Sequence, residues 1–565
     1  VRALDGTAMK LEHVIRGIAI SDRRGCFETE VEGLTADSRQ VRDGDVYVAL
    51  RGAHHDGHAF IESAVQQGAR AVIAESWPEG VDPKFESRPN VVLVPNTRRA
   101  LALAAANLYG QPSRDMVVAG VTGTNGKTTV VQLLESILLH AGKKTGSVGT
   151  LGSRFEGAQR DMGHTTPEPV ALQKNLAKML AAGVTHVVME VSSHALDQHR
   201  VTGVHFKVAG FTNLSQDHLD YHETMEKYFE AKSLLFSQCL ERSQARGRMA
   251  VVNVDDPKGE AMIEAWGGKS LRVSAEGNRE ADLWVRDSAC SLDGIRMAIE
   301  TSKGVMELES KLVGAHNLTN VLVAVGMAQA MGFSESRIRA GLEQLTVVPG
   351  RMEKVVTEDP RQVFVDYAHT PDALGRVLAS LRPLVRGRII VVFGCGGDRD
   401  ADKRPAMGRA VAEGADAVVL TSDNPRGEEP AQIAEQAAAG LREGGFRELG
   451  PEDRPDRAPD QAFRVELDRW EAIQLAVKWA GPDDVVLVAG KGHETRQELQ
   501  DRTVPFDDRD AARRTLMGLP PAPEPPPVPG SGEVEVLQVV ESVDIEPDIV
   551  GETHEEPSKP GGAEP

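Results

Sequence analysis

The stretch Val117-Val-Ala-Gly-Val-Thr-Gly-Thr-Asn-Gly-Lys-Thr-Thr129 admits few folds. Residues 116–121 are an unbroken apolar run of strand length, and residues 127–141 read as a helix. The glycines between them let the backbone curl so that N–H groups and the helix N-terminus face one point in space. Strand, tight turn and helix in that order open a parallel α/β unit. The same geometry receives phosphate. Gly123, Thr124, Asn125, Gly126, Lys127, Thr128 and Thr129 are the candidate contacts, with Lys127 supplying positive charge and the Thr128 hydroxyl a ligand for Mg²⁺. Val121 stands where the general phosphate-loop pattern has glycine, so the loop is a shortened variant.

At 565 residues the chain is too long for one core, and ~100–200 residues per domain predict about three or four folded units. Residues 1–112 alternate strand-like runs (46–50, 71–74, 91–94) with helical patterns (59–67, 97–109) and end near Gly110 and Pro112. Residues 113–347 carry further strands at 186–191, 208–212 and 250–254. The pattern restarts near Pro349-Gly350, with strands at 363–366, 389–393, 417–421 and 485–489 and a closing helix around 507–517. The expected architecture is α/β in three domains: an N-terminal unit (1–112), a central parallel sheet of the phosphate-loop type (113–347) and a C-terminal Rossmann-like domain (348–518). Residues 519–565, rich in Pro and Glu, are expected to form a disordered acidic tail.

Charge narrows the partners. The formal net charge is -20, of which the tail carries -10. This excludes general binding to nucleic acid or to anionic membranes, which need clustered Lys and Arg. Four scattered cysteines without a CxxC pair read as reduced thiols. Apolar runs fall short of the ~18 residues that cross a bilayer, so no membrane insertion and a cytoplasmic location are expected.

Further motifs carry chemistry. Glu190, in Met189-Glu-Val-Ser-Ser-His194, ends a predicted strand, where open α/β sheets place ligands, and its carboxylate suits Mg²⁺. His218 and His222 have an HxxxH spacing but lack the glutamate of a zinc HExxH motif. Lys232 lies on an amphipathic helix, where a lysine alone reads as solvated. Three loops follow predicted strands: Gly394-Cys-Gly-Gly-Asp-Arg399, Asp423-Asn-Pro-Arg426 and Gly490-Lys-Gly-His-Glu494. At one sheet edge, Arg399 and Arg426 would take the carboxylates of a zwitterionic amino acid, and Asp423 and Glu494 its ammonium groups.

In sequence order across residues 30–510, these motifs resemble those of the Mur ligases and their folylpolyglutamate synthase relatives, which join a carboxylate to an amine through an acyl phosphate. The resemblance implies an ATP site at residues 123–129 with Asn317, Arg351 and Asp366. It also implies Mg²⁺ held by Thr128, Glu190, His218 and Lys232, the lysine being converted by CO₂ into a carbamate, with Lys127, Lys232 and His218 in catalytic roles. Asp423, Asn424, Pro425 and Arg426 look like the signature of the meso-diaminopimelate-adding Mur ligases, with Arg399, Gly490 and Glu494 completing the amino-acid site. Lysine-adding relatives lack this arginine. Ala36, Ser38, Ala53, His54 and His55 match positions near uridine and diphosphate. Thr165, Thr166, Ser192, Gln198 and Arg200 match contacts to a UDP-N-acetylmuramoyl dipeptide. The expected activity is ATP-dependent addition of meso-diaminopimelate to UDP-N-acetylmuramoyl-L-alanyl-D-glutamate. Addition of L-lysine, a folylpolyglutamate-type reaction, and ATP hydrolysis without amide formation remain the alternatives.

Overall fold

A computed structural model describes residues 8–52, 55–76, 89–450, 452–453 and 456–522. Ala53, His54 and the tail from residue 523 onward lie outside the described residues.

Three large sheets follow one another along the chain. The first has the order Asp22–Arg24, Asn90–Leu93, Ala71–Ala74, Asp45–Val48, Gly33–Thr35, and all its pairings are parallel except that of the Asp22–Arg24 edge. The predicted helix at 59–67 forms as a short 3-10 turn, Gly57–Phe60, capped by Asp56, that runs into the α-helix Ile61–Gln66.

The second sheet places Val117–Thr122 centrally, between His186–Glu190 and Phe206–Phe211, both parallel to it. Its strands are buried on both faces. Ala119 and Val121 join a core with the helices Lys127–His140 and His316–Ala330, while Val118 packs on the opposite face with Leu172 and Leu176 of Pro169–Ala181. The expectation of a parallel sheet needs correction at the ends. Antiparallel strands Gly152–Phe155 and Ala158–Arg160 extend one edge, and the meander Leu283–Ser291, Gly294–Thr301, Gly304–Ser310 extends the other.

The third sheet runs Glu353–Lys354, Gln362–Asp366, Val485–Ala489, Ile389–Phe393, Ala417–Leu420, Ala462–Val465, Arg447–Glu448. Val391 and Phe393 face a core with Pro371–Leu381, Lys403–Gly414 and Pro430–Glu443, and their neighbours Ile390 and Val392 face Arg469–Trp479 and Asp508–Leu516. Helices thus cover both faces, and the loops after the parallel strands are left free at one edge.

Candidate active site

The 123–129 loop is strapped in place by residues 212 and 213, just past the neighbouring strand Phe206–Phe211. Thr124 N donates to Asn213 O at 2.8 Å, Asn125 N to Asn213 Oδ1 at 3.0 Å, and Thr212 Oγ1 to Asn125 O at 2.6 Å. Gly126 has φ 87° and a Cβ there would collide with Asn320 Oδ1, so only glycine keeps the curl. Asn317 lies one layer behind: it accepts from Asn320 Nδ2 at 2.8 Å and donates to Val313 O. In this structure it supports the loop from beneath.

Two lysines converge on one oxygen. Lys127 Nζ donates to Gly123 O at 3.0 Å and to Thr124 O at 2.8 Å, and Lys232 Nζ donates to Gly123 O at 2.8 Å. Lys232 is 1 % exposed and lies over the Tyr228 ring, 4.2 Å from its centroid. The expectation for a lone lysine on this helix, a solvated side chain, is therefore overturned, because the apolar side of the helix Met225–Leu234 carries Lys232 inward. Burial, and then the Lys127 charge, push its ammonium well below the ordinary lysine range. Burial also lowers Lys127, against the opposing pull of Glu190 and Asp217. Among the described residues neither lysine has an ion-pair partner within reach.

Glu190 sits at the C-terminal end of its strand, buried, accepting from Thr150 N at 2.8 Å and Thr150 Oγ1 at 3.1 Å. His218 adopts a left-handed backbone, packs edge-on against His194 and lies 3.4 Å from Asp217. Burial holds its imidazole down to about 4 although Asp217 opposes the shift. His222 turns elsewhere, its Nε2 sharing a hydrogen bond with Ser193 Oγ at 2.9 Å. Among the described residues no three His, Cys, Asp or Glu side chains form a metal-binding group. The expected Mg²⁺ set contains only two such residues, Glu190 and His218, together with the Thr128 hydroxyl and Lys232.

The C-terminal unit reaches this loop directly. Arg351 Nη2 donates to Thr128 Oγ1 at 3.1 Å while its guanidinium stacks on Tyr367. Asp372, at the start of Pro371–Leu381, accepts from Asn125 Nδ2 at 3.1 Å and Ser215 Oγ at 2.7 Å. Thr129 is buried in the first turn of Lys127–His140. Asp366 is buried with both oxygens taken, accepting from Met352 N at 2.7 Å and Ala368 N at 2.8 Å. It shapes the 349–353 turn, and among the described residues no side chain donates to it.

Beside Glu190, the central-domain candidates form one network. Thr166 Oγ1 donates to Glu190 O and accepts from Ser192 N, Thr165 Oγ1 meets Thr150 Oγ1, and Ser192 caps Ser193–Asp197. Arg200, expected from the resemblance among the contacts to the dipeptide substrate, is engaged here by Thr166 O, Gln198 Oε1 and, at 2.9 Å, Glu168. In the N-terminal unit Ala36 is half-buried and Ser38 opens a 3-10 turn capped by Asp37. His55 is exposed, and its carbonyl closes the 52–55 loop by accepting from Gly52 N.

The three polar loops of the C-terminal unit follow three adjacent parallel strands, Val485–Ala489, Ile389–Phe393 and Ala417–Leu420, and so meet at one edge as expected. Arg426 has a left-handed backbone (φ 48°), and its side chain donates to Gly397 O at 2.9 Å and Glu498 Oε2 at 2.6 Å. Pro425 O presses on Gly397, where a Cβ would collide. Arg399 is exposed. Asp423 is buried, which raises its carboxyl even though Arg469 and Lys491 oppose. Burial works against ionised Glu494 too, but Lys491 and Asn424 outweigh it and hold the carboxyl below its usual value.

Sequence reasoning missed several residues that complete this edge. Arg404 grips Glu428 at 2.7 and 2.8 Å and also donates to Gly396 O. Glu428 in turn accepts from Asp398 N at 2.6 Å, so the two substrate loops are tied together. Lys491 lies inside the quoted 490–494 motif, yet nothing in a single lysine signals burial. Asp372 had one usable signal, its place after Thr370-Pro371 at a helix start.

Comparison with known proteins matches the same regions. The Mur ligase catalytic, middle and glutamate ligase domain families match residues 30–109, 121–328 and 350–492. The chain is 42% identical over 514 residues to UDP-N-acetylmuramoyl-L-alanyl-D-glutamate--2,6-diaminopimelate ligase of Geobacter metallireducens, covering 89% of this chain and 97% of that protein. It is 43% identical over 510 residues to the protein of the same name from Gloeobacter violaceus, with coverage of 90% and 98%. A solved structure of a ligase of that name superposes with a TM-score of 0.63 at 32% identity, over 91% of this chain and 99% of that one.

Proposed function

Because this chain belongs to the Mur ligase family, we propose that it is an ATP-dependent ligase joining meso-diaminopimelate to UDP-N-acetylmuramoyl-L-alanyl-D-glutamate in peptidoglycan precursor synthesis. The observation that carries the substrate assignment is the Asp423–Arg426 loop. Its left-handed Arg426 is held against Gly397 O at the sheet edge that also bears Glu494. A second carboxylate on the amino acid competes with Glu498 for that guanidinium, and L-lysine has no such group.

ATP lies with its phosphates over residues 123–129, and Lys127 exchanges the Gly123 and Thr124 carbonyls for phosphate oxygen. Arg351 and Asn317 border the nucleotide, and Asp366 holds the 349–353 turn beside it. Ala36, Ser38 and the 53–55 loop receive uridine and diphosphate. Thr165, Thr166, Ser192, Gln198 and Arg200 receive the dipeptide. The γ-carboxylate of D-glutamate attacks the γ-phosphorus, the bond to the bridging oxygen breaks and ADP leaves, giving an acyl phosphate. The amine of diaminopimelate, oriented by Arg399, Arg426 and Glu494, attacks the carbonyl carbon. The C–N bond forms, phosphate departs and the nitrogen loses a proton. Closure of the domains keeps water from the acyl phosphate.

Mg²⁺ supplies screening of the repulsion between carboxylate and triphosphate. The donor set fits it: the Thr128 hydroxyl, the buried Glu190 carboxylate, His218, neutral near pH 7 because burial holds it to about 4, and an oxyanion on Lys232. Burial lowers Lys232 and so favours its uncharged amine, the form that adds to CO₂ and loses a proton to become a carbamate. No helix among the described residues is long and apolar enough to cross a membrane, and we place the enzyme in the cytoplasm, where ATP is available.

The test is a paired assay of the purified chain with ATP and the UDP-dipeptide, offering meso-diaminopimelate or L-lysine and following ADP and the ligated product. Faster use of L-lysine overturns the substrate. Phosphate release that needs neither the carboxylate nor the amine substrate overturns the ligase.

A further inference from the structure

Lys491 is 0 % exposed, two residues beyond the end of Val485–Ala489. A buried ammonium is costly unless its protons are taken, and here both acceptors belong to side chains of the amino-acid loops. Nζ donates to Asn424 Oδ1 at 3.0 Å and to Glu494 Oε2 at 2.8 Å. Asn424 Oδ1 also accepts from Glu498 N at 3.0 Å, and Asn424 Nδ2 donates to Glu494 Oε2 at 3.1 Å. The amide therefore has one orientation, since a flip would set its NH₂ against an ammonium and a backbone N–H. Glu494 Oε2 takes two donors, and among the described residues Oε1 takes none.

A purely structural role explains this less well. The unit already has a fully buried ion pair, Arg469 with Asp508 at 2.7 Å, that ties the helices Arg469–Trp479 and Asp508–Leu516 together. Lys491 instead links two loops from different strands at the free edge of the sheet.

We propose that Lys491 is a positioning residue for the amino-acid substrate. It presets the Asn424 amide and the Glu494 carboxylate as one pair whose free oxygen, Glu494 Oε1, receives an ammonium group of the incoming diamino acid. The inference rests on the reading that residues 423–426 and 490–494 receive that acid. Among the described residues Lys491 Nζ hydrogen-bonds only to Asn424 and Glu494, so its loss acts on amino-acid affinity and on Glu494 ionisation, and leaves the 123–129 loop alone.

The experiment is steady-state kinetics of full-length Lys491→Met and Lys491→Arg against wild type, with thermal melts of each. In Lys491→Met, KM for meso-diaminopimelate rises at least tenfold while KM for ATP stays within twofold, and the acid limb of kcat/KM for the amino acid moves to higher pH. Lys491→Arg restores the acid limb but not KM, because it returns the charge with a different reach. An unchanged KM and acid limb overturn the proposal, as does a common rise in every KM that tracks a fall in melting temperature. If Lys491→Met does not fold, the wild-type protein decides: in a carbon-13 carboxyl titration assigned with Glu494→Gln, a Glu494 that titrates at or above the ordinary glutamate value overturns it. A wild type that ligates a different amino acid fails the substrate assignment instead, and the same comparison is then made with that acid.

Discussion

Gly123 O accepts from both Lys127 and Lys232, so a half-buried and a buried amine share one carbonyl, and among the described residues Glu190 and Asp217 act on them only from beyond ion-pair distance. Such a pair is stable only if one amine is uncharged or a further anion arrives. On the function proposed above, ATP would provide the anion for Lys127, and CO₂ would turn Lys232 itself into one. Lys232→Ala should therefore lower kcat by about 10²-fold or more, the scale of removing one preorganised charge-stabilising group. Bicarbonate together with a short carboxylic acid should return part of the activity. With ¹³C-labelled bicarbonate, wild type should show a carbamate carbonyl resonance that Lys232→Ala lacks. Full activity of the unrescued variant, or the same resonance in it, would remove the carbamate.

Among elements, the loop after Val485–Ala489 is the most constrained. Gly490 has φ 117°, and a Cβ there would collide with Asp423 Oδ2. Gly490→Ala is expected to cost about 1–3 kcal/mol, from a strained backbone and a displaced Asp423. It should raise KM for diaminopimelate well above any change in KM for ATP. Equal changes in the two would mean that the loop serves the whole domain rather than the amino acid. The strand before this loop was legible from the sequence. Predicted and observed limits coincide at 389–393 and 485–489, because a strand buried on both faces must be an unbroken apolar run that stops at glycine. The meander Leu283–Ser310 was not read, since its half-exposed strands carry Arg, Asp, Glu and Ser and lack that contrast. Site legibility divides in the same way. The 123–129 loop, Glu190 and the loops at 394–399, 423–426 and 490–494 lie where strands end, and a strand end can be read. Lys491, Arg404 and Asp372 each have a partner 24 to 247 residues away, in Asn424, Glu428 and Asn125, and no local pattern records such a partner.

At the scale of the whole molecule, burial that serves the site also sets the response to acid. His186, His218, His222 and His493 are each pushed down to about 4, chiefly by burial. Nearby cations add to this at His186 (Lys143 and Lys207) and at His493 (Arg351). An unfolded histidine titrates near ~6.5, so above that pH both states are neutral and stability does not depend on these groups. Between about 6.5 and 4 the unfolded chain takes up protons that the fold refuses, and stability falls as pH falls. Each histidine contributes up to about 1.4 kcal/mol per pH unit to that slope. Urea melts from pH 7.5 to 4.5 should show stability declining through this window. His222→Gln, which keeps a hydrogen-bonding group near Ser193 but cannot titrate, should decline less steeply than wild type. Equal slopes would mean that His222 takes its proton while still folded. The formal charge of -20 does not anticipate this behaviour, because acid acts here through neutral rings, buried at His222 and half-buried at His186, His218 and His493, and not through the net charge.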